Sequence, residues 1–198
     1  MGLQQYRVII LIVAAVLALF IASPGLQQFT FFPQTTNFTE LSIFGQYNNA
    51  TYPSNVTAGE NFLVYLNVDN HLGSCAYYMV EPKFGNQTQF TPNSFSHTNS
   101  VLPSLGNITF FVAENDSLQL PIDFSFQYKI DANNPLQLDV QNITLNGATI
   151  ADPMTIAWNS AKGGFYGNLF FELWIYNGTA NALEYNQRYV SLWLKMNI

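Results

Sequence analysis

The sequence predicts an all-β domain, an antiparallel β-sandwich of the immunoglobulin or fibronectin type, preceded by one N-terminal transmembrane helix. Three observations predict it. A run of fifteen apolar residues, Val8 to Ala22, stands alone at the N-terminus. From Phe38 onward, apolar residues recur at every second position in segment after segment, the mark of half-buried strands. No amphipathic helical pattern separates those segments, so the strands must bury one another. A closed barrel is the alternative.

At 1.5 Å per residue the apolar run covers about 22 Å, short of a hydrocarbon core about 30 Å thick. Flanking residues extend it, so membrane lipid is expected to meet residues 3–22, with Tyr6 and the phenylalanines after Leu26 near the two interfaces. Arg7 is the only charge before Glu40, which puts the N-terminus in the cytoplasm and the remainder outside in a single-pass arrangement. A cleaved signal would need small residues before the cut, and Phe20 stands where one is wanted before a cut after Ala22. Ala14, Ala18 and Ala22 fall four apart and would share one helix face, on which another helix can approach closely. The organisation read from this is an anchor over 1–23, an extended linker over 24–37 marked by Pro24 and Pro33, and a β domain over 38–198.

Composition narrows the role. Only 9% of the residues are charged and 16% are aromatic, too apolar for disorder and too weakly charged for an ordinary cytosolic surface. Beyond the anchor, twelve acidic residues face Lys83, Lys129, Lys162, Arg188 and Lys195, so no basic patch is present and nucleic acid is not an expected partner. The single cysteine, Cys75, rules out an internal disulfide framework. Asn-X-Ser/Thr occurs at Asn37, Asn49, Asn55, Asn86, Asn107, Asn115, Asn142 and Asn177. Chance would supply roughly three such acceptors, so the excess predicts a heavily N-glycosylated surface whose glycans replace charge as the solvating layer.

Along the chain, Phe38–Tyr47 is the first strand expected, followed by a turn-rich segment. Asn61–Asn70 alternates cleanly, with Phe62, Val64, Leu66 and Val68 on one face, and a tight connection leads to Cys75–Phe84; these two are expected to pair as neighbours. Residues 85–106 carry no strand pattern, and a loop of that length usually binds something or covers an edge. Asn107–Glu114 resumes the alternation. Leu118, Leu120, Ile122, Phe124, Phe126, Tyr128 and Ile130 then recur at strict period two, a long strand in which Pro121 marks an edge or bulge. Leu136–Leu145 follows, ending at the Asn146-Gly147 turn signal. After a second variable stretch, 146–164, come Tyr166–Tyr176 and Gln187–Ile198. Seven or eight strands result.

Candidate chemistry is sparse. His71, Cys75 and Met79 at intervals of four, with His97 elsewhere, supply the side chains of a copper site, though His precedes Cys and strand packing explains Cys75 and Met79 equally well. Glu114, Asp116 and Asp131 sit at turns without the spacing of a calcium loop. No nucleophile elbow, zinc-protease motif or phosphate loop is present. No catalytic residue, metal site or cofactor is therefore expected, and the chain is not expected to be an enzyme.

Pro53, Asn55-Val56-Thr57, Gly59-Glu60, the alternating strand and Asn70-His71, with FTELSIFG before them and RYVSLWLKMNI at the end, resemble an archaeal membrane-protein domain of unknown function, family sixteen-sixteen. The resemblance implies an archaeal, surface-exposed sandwich beside membrane segments and carries no catalytic residues. The expected role is a membrane-anchored cell-envelope glycoprotein acting by protein or glycan contact, as an accessory subunit or through self-association. The alternative is a subunit of an extracellular filament that adds its N-terminal segment to a neighbour's sheet. A copper or redox carrier comes third.

Overall fold

A computed structural model describes residues 6–27, 37–89, 91–93, 95–151 and 153–198. The chain divides into two compact units, Met1–Thr36 and Asn37–Ile198.

The described residues of the first unit form a helix, α1 (Arg7–Gln27). It runs past Ser23 through four residues of the expected linker. Pro24 near the helix end lacks an N–H but removes only its own bond to the preceding turn. Ile9, Ile10, Leu11, Ile12 and Val13 are each more than half exposed and together occupy every side of the helix. Among the described residues no helix is long and apolar enough to cross a membrane.

Among its described residues the second unit has eleven strands: β1 (Phe38–Gly45), β2 (Asn55–Thr57), β3 (Phe62–His71), β4 (Ala76–Gly85), β5 (Ile108–Val112), β6 (Ser117–Asp131), β7 (Asn134–Leu145), β8 (Ala148–Ile150), β9 (Met154–Asn159), β10 (Gly164–Asn177) and β11 (Ala182–Asn197). They pair in two groups. One runs β1-β3-β6-β7, with β8 and β9 both on the far edge of β7; the other runs β5-β4-β10-β11-β2. The strand β9 belongs to both, pairing Met154–Ala157 with β7 and Trp158–Asn159 with β10. All pairings are antiparallel except β2 on β11.

One core lies between the groups. Val64, Leu66 and Val68 of β3 and Ile122, Phe124 and Phe126 of β6 meet Tyr78, Val80 and Phe84 of β4 and Leu169, Phe171 and Leu173 of β10. The alternation read in β3 and β6 is the alternation buried. Pro121 lies where β6 is paired with β3 but has not yet met β7, which begins to pair at Phe124, so no ladder bond is asked of its missing N–H on that side.

The expected pairing of β3 with β4 is corrected. β3 pairs β1 and β6, whereas β4 pairs β5 and β10, so the chain crosses the core between them. Asn70 makes the crossing possible. Fully buried, its amide donates to the carbonyls of Ser74 (2.8 Å) and Val112 (2.9 Å), and its oxygen accepts from Leu72 N–H (3.2 Å) and Tyr78 OH (3.1 Å). Tyr78 OH also meets Thr39 Oγ1 at 3.0 Å, linking β1 to β4 across the core. The strand count rises to eleven because β2, β8 and β9 are short. The stretch 146–164 is not structureless: Asn146 and Gly147, at φ 48° and 79°, form the two-residue turn between β7 and β8, and β9 follows. The strand expected from Gln187 begins at Ala182 and is interrupted by a bulge before Arg188, where Gln187 has φ 61°.

Candidate functional site

The long connection between β4 and β5, residues 86–107, is fastened to the sheet by charge. Lys83 on β4 and Glu172 on β10 point to the face away from the core, and both are buried. Lys83 Nζ donates to Glu172 Oε2 at 2.8 Å and to the Ser100 carbonyl at 2.9 Å, and lies 3.3 Å from Glu81 Oε2. Ser100 N–H donates to Glu172 Oε1 at 2.5 Å. An ammonium has three protons, and three protein oxygens surround this one. The group is therefore a clamp on the connection, with its bonding capacity used. Leu105 N–H, donating to the Pro82 carbonyl at 2.8 Å, adds a second fastening.

Beside the clamp, the start of this connection meets β9. Asn86 Nδ2 donates to the Thr155 carbonyl (3.2 Å), Gln87 Nε2 to the Ala157 carbonyl (3.4 Å), and Asn159 Nδ2 to Gln87 Oε1. Between them opens a cleft of about 220 Å³ walled by Asn86, Gln87, Thr88, Gln137, Thr155, Ala157 and Trp158. It sits where β9 passes from one group of strands to the other. Trp158 is 41% exposed, and its ring meets Phe165 edge to face at 5.1 Å and 82°, which fixes the indole against the core. Among the described residues no charged side chain lines the cleft. The two stretches without strand periodicity, 85–106 and 146–164, each supply a wall; Gln137 of β7 had no sequence signal.

A larger hollow of about 470 Å³ lies among Tyr47, Tyr52, Phe62 and Asp123, but Tyr47 on its rim is 81% exposed. Elsewhere Lys162 Nζ lies over the rings of Tyr166 (5.4 Å) and Trp193 (5.6 Å). Asn168 is buried on β10 with neither amide atom bonded, and Tyr185 OH is likewise buried without a partner. Burial first, and then the charge of Glu172, push the Tyr185 phenol pKa up.

The eight asparagines of the Asn-X-Ser/Thr triplets lie in the second unit, and none is buried. Asn37, Asn49, Asn55, Asn107 and Asn115 are exposed, and Asn86, Asn142 and Asn177 are half-buried. Ala14 and Ala18 are exposed on α1, whereas the side chain of Ala22 lies outside the described residues. The copper candidates do not converge: the His71 ring packs on Phe38 (4.7 Å) and hydrogen-bonds Asn115, Cys75 is exposed, Met79 is buried, and His97 sits in a turn at φ 57°. Among the described residues no group of three or more His, Cys, Asp or Glu is placed to hold a metal.

Neither a family model nor a curated protein matches the sequence. Among solved structures, 81% of the chain aligns with 16% of a β-glucosidase from Listeria innocua solved in complex with glucose, at 7% identity and a TM-score of 0.36. A likeness of that size carries no functional inference.

Proposed function

We propose that this chain is an N-glycosylated cell-envelope protein, held at the outer face of a membrane by its N-terminal segment and working through contacts made by its β domain. The observation that carries the reading is the placement of the glycan acceptors: eight are present, in more than twice the number composition predicts, and none is buried. The helix supports it. A helix apolar on every side needs lipid or protein around it, and the described part of α1 has that character. Its strict apolar run is about 22 Å long, so a crossing uses the flanking residues from Leu3 as well. Two groups of mainly antiparallel strands over one core support reading the domain as an immunoglobulin- or fibronectin-like sandwich. The clamped connection gives the domain a fixed surface to present.

Fractionation of native cells tests the reading. The protein is expected in the membrane fraction, released by detergent but not by salt, digested by protease added outside intact cells, and lighter after chemical deglycosylation. A salt-soluble protein of bare polypeptide mass would refute it. The second reading, a filament subunit assembled by strand addition, draws on β1 being the terminal strand of its group. Exchange of β1 between copies would give detergent-resistant oligomers with the N-terminal segment removed.

A further inference from the structure

We infer that the cleft between β7, β9 and the start of the 86–107 connection binds a neutral sugar ring, with Trp158 as its stacking wall and Asn86, Gln87, Thr88, Gln137 and Thr155 as its hydroxyl partners. This deepens the contact-protein reading by naming what is contacted.

The chemistry of the lining points to that ligand class. An anion or cation would require an opposite charge, and none of the described lining residues carries one. A purely apolar ligand would leave the Gln137 amide without a partner, whereas Asn86, Gln87, Thr88 and Thr155 already bond within the protein and offer a ligand only their remaining donor and acceptor positions. A sugar hydroxyl both donates and accepts, as carboxamides and threonine hydroxyls do, so five such residues around a small space match its rim. A pyranose is also apolar on its C–H faces, and that side needs a flat apolar wall. The half-exposed indole of Trp158, braced by Phe165, is such a wall.

The cleft has the build of a binding site. The Asn86 and Gln87 amides are bonded to the backbone of β9, and the Lys83–Glu172 clamp holds the remainder of the connection. The Gln137 amide has no protein partner among the described residues, and Thr155 Oγ1 makes only a 3.4 Å bond to Asp139. At about 220 Å³ the space falls below the roughly 300–1,000 Å³ of sites for larger ligands, so it takes one ring and leaves any attached chain in solvent. Two sources can supply the ring: a separate glycan, or the glycan on Asn86, which lies in the wall. In the second case the glycosylated nitrogen keeps one N–H for the Thr155 carbonyl.

The test uses the full chain in detergent, produced with and without N-glycosylation. Methyl glycosides of glucose, galactose, mannose and N-acetylglucosamine are offered at millimolar concentration, and saturation-transfer NMR reads contact with ring protons. The unglycosylated chain is expected to bind at least one of them. Trp158→Ala should weaken that binding at least about tenfold, and Gln137→Ala should weaken it while leaving the melting curve unchanged. Trp193→Ala, outside the cleft, should have no effect. If the glycosylated chain also binds, the source is external. If it does not, and protons of the Asn86-linked sugar are shifted upfield by the indole, the source is its own glycan. Absence of binding to the bare chain together with an unshifted Asn86 glycan would overturn the proposal, as would binding indifferent to Trp158. Cell fractionation reads the membrane and glycoprotein reading separately, so either can fail alone.

Discussion

Replacing Lys83 by methionine keeps most of the length of the side chain and removes its charge. Glu172 is fully buried and would lose the ammonium 2.8 Å away while keeping the Ser100 N–H. Breaking a buried pair by deleting one partner costs roughly 3–5 kcal/mol, because the other charge is left in a poor medium. For a domain of this size each kcal/mol is worth about 2–4 °C in Tm, so the expected fall is roughly 6–20 °C. Denaturant unfolding and calorimetry measure it. A second substitution separates charge from packing. In Lys83→Met with Glu172→Gln, the carboxamide oxygen still accepts from Ser100 N–H and its NH₂ can donate to the Ser100 carbonyl. The double variant should therefore regain at least half the loss. Limited proteolysis should cut Lys83→Met within residues 86–107 faster than the double variant. A Lys83→Met protein within about 1 kcal/mol of the parent, or a double variant no more stable than the single, would refute the clamp.

Three further outcomes are expected. Tyr128 OH lies 2.8 Å from the Val56 carbonyl and 2.7 Å from the Asn197 carbonyl, between which its single proton is shared, and burial pushes its pKa from 10.0 up to about 12. Its contribution to stability is thus complete below pH 10 and is lost as pH rises to about 12, and Tyr128→Phe should flatten that alkaline loss in a pH series of denaturant midpoints. Gly147→Ala forces a side chain into φ 79° with open space around it, so the cost is backbone strain of about 1–2 kcal/mol by denaturant unfolding. Gly167→Ala would place a methyl 2.3 Å from the Phe84 ring, and the crowded core should lose about 1–3 kcal/mol, with Phe84→Leu added to Gly167→Ala restoring part.

The sequence was most legible where one face of a strand is buried. Val64, Leu66 and Val68, or Ile122, Phe124 and Phe126, are read directly from period two because the pleat converts position into face. Period two is silent about which strand lies alongside. A hairpin and a crossover between β3 and β4 place Val80 in the core equally well, and the choice rests on Asn70, whose side-chain bonds reach residues up to 43 positions away. Short strands were lost for another reason: β2 buries only Val56, and one residue has no period. The clamp joins residues 89 apart, and the cleft takes its walls from three segments, so neither leaves a local pattern. What the sequence did carry was negative, the lack of periodicity in the two stretches that meet at Trp158.

The sharing of β9 between the two groups of strands has a mechanical consequence. On that side the sheets are joined through one continuous ladder, so they cannot part without breaking backbone hydrogen bonds. On the other side, β1 reaches the opposite group through side chains, Thr39 to Tyr78 and Arg188 Nε to the Thr39 carbonyl at 3.3 Å, with no ladder among the described residues. The domain is stiff along one seam and compliant along the other, like a book bound at its spine. A ligand in the cleft would settle against the spine, where little remains to be ordered. With little left to order, binding there carries a small conformational cost and needs no slow rearrangement.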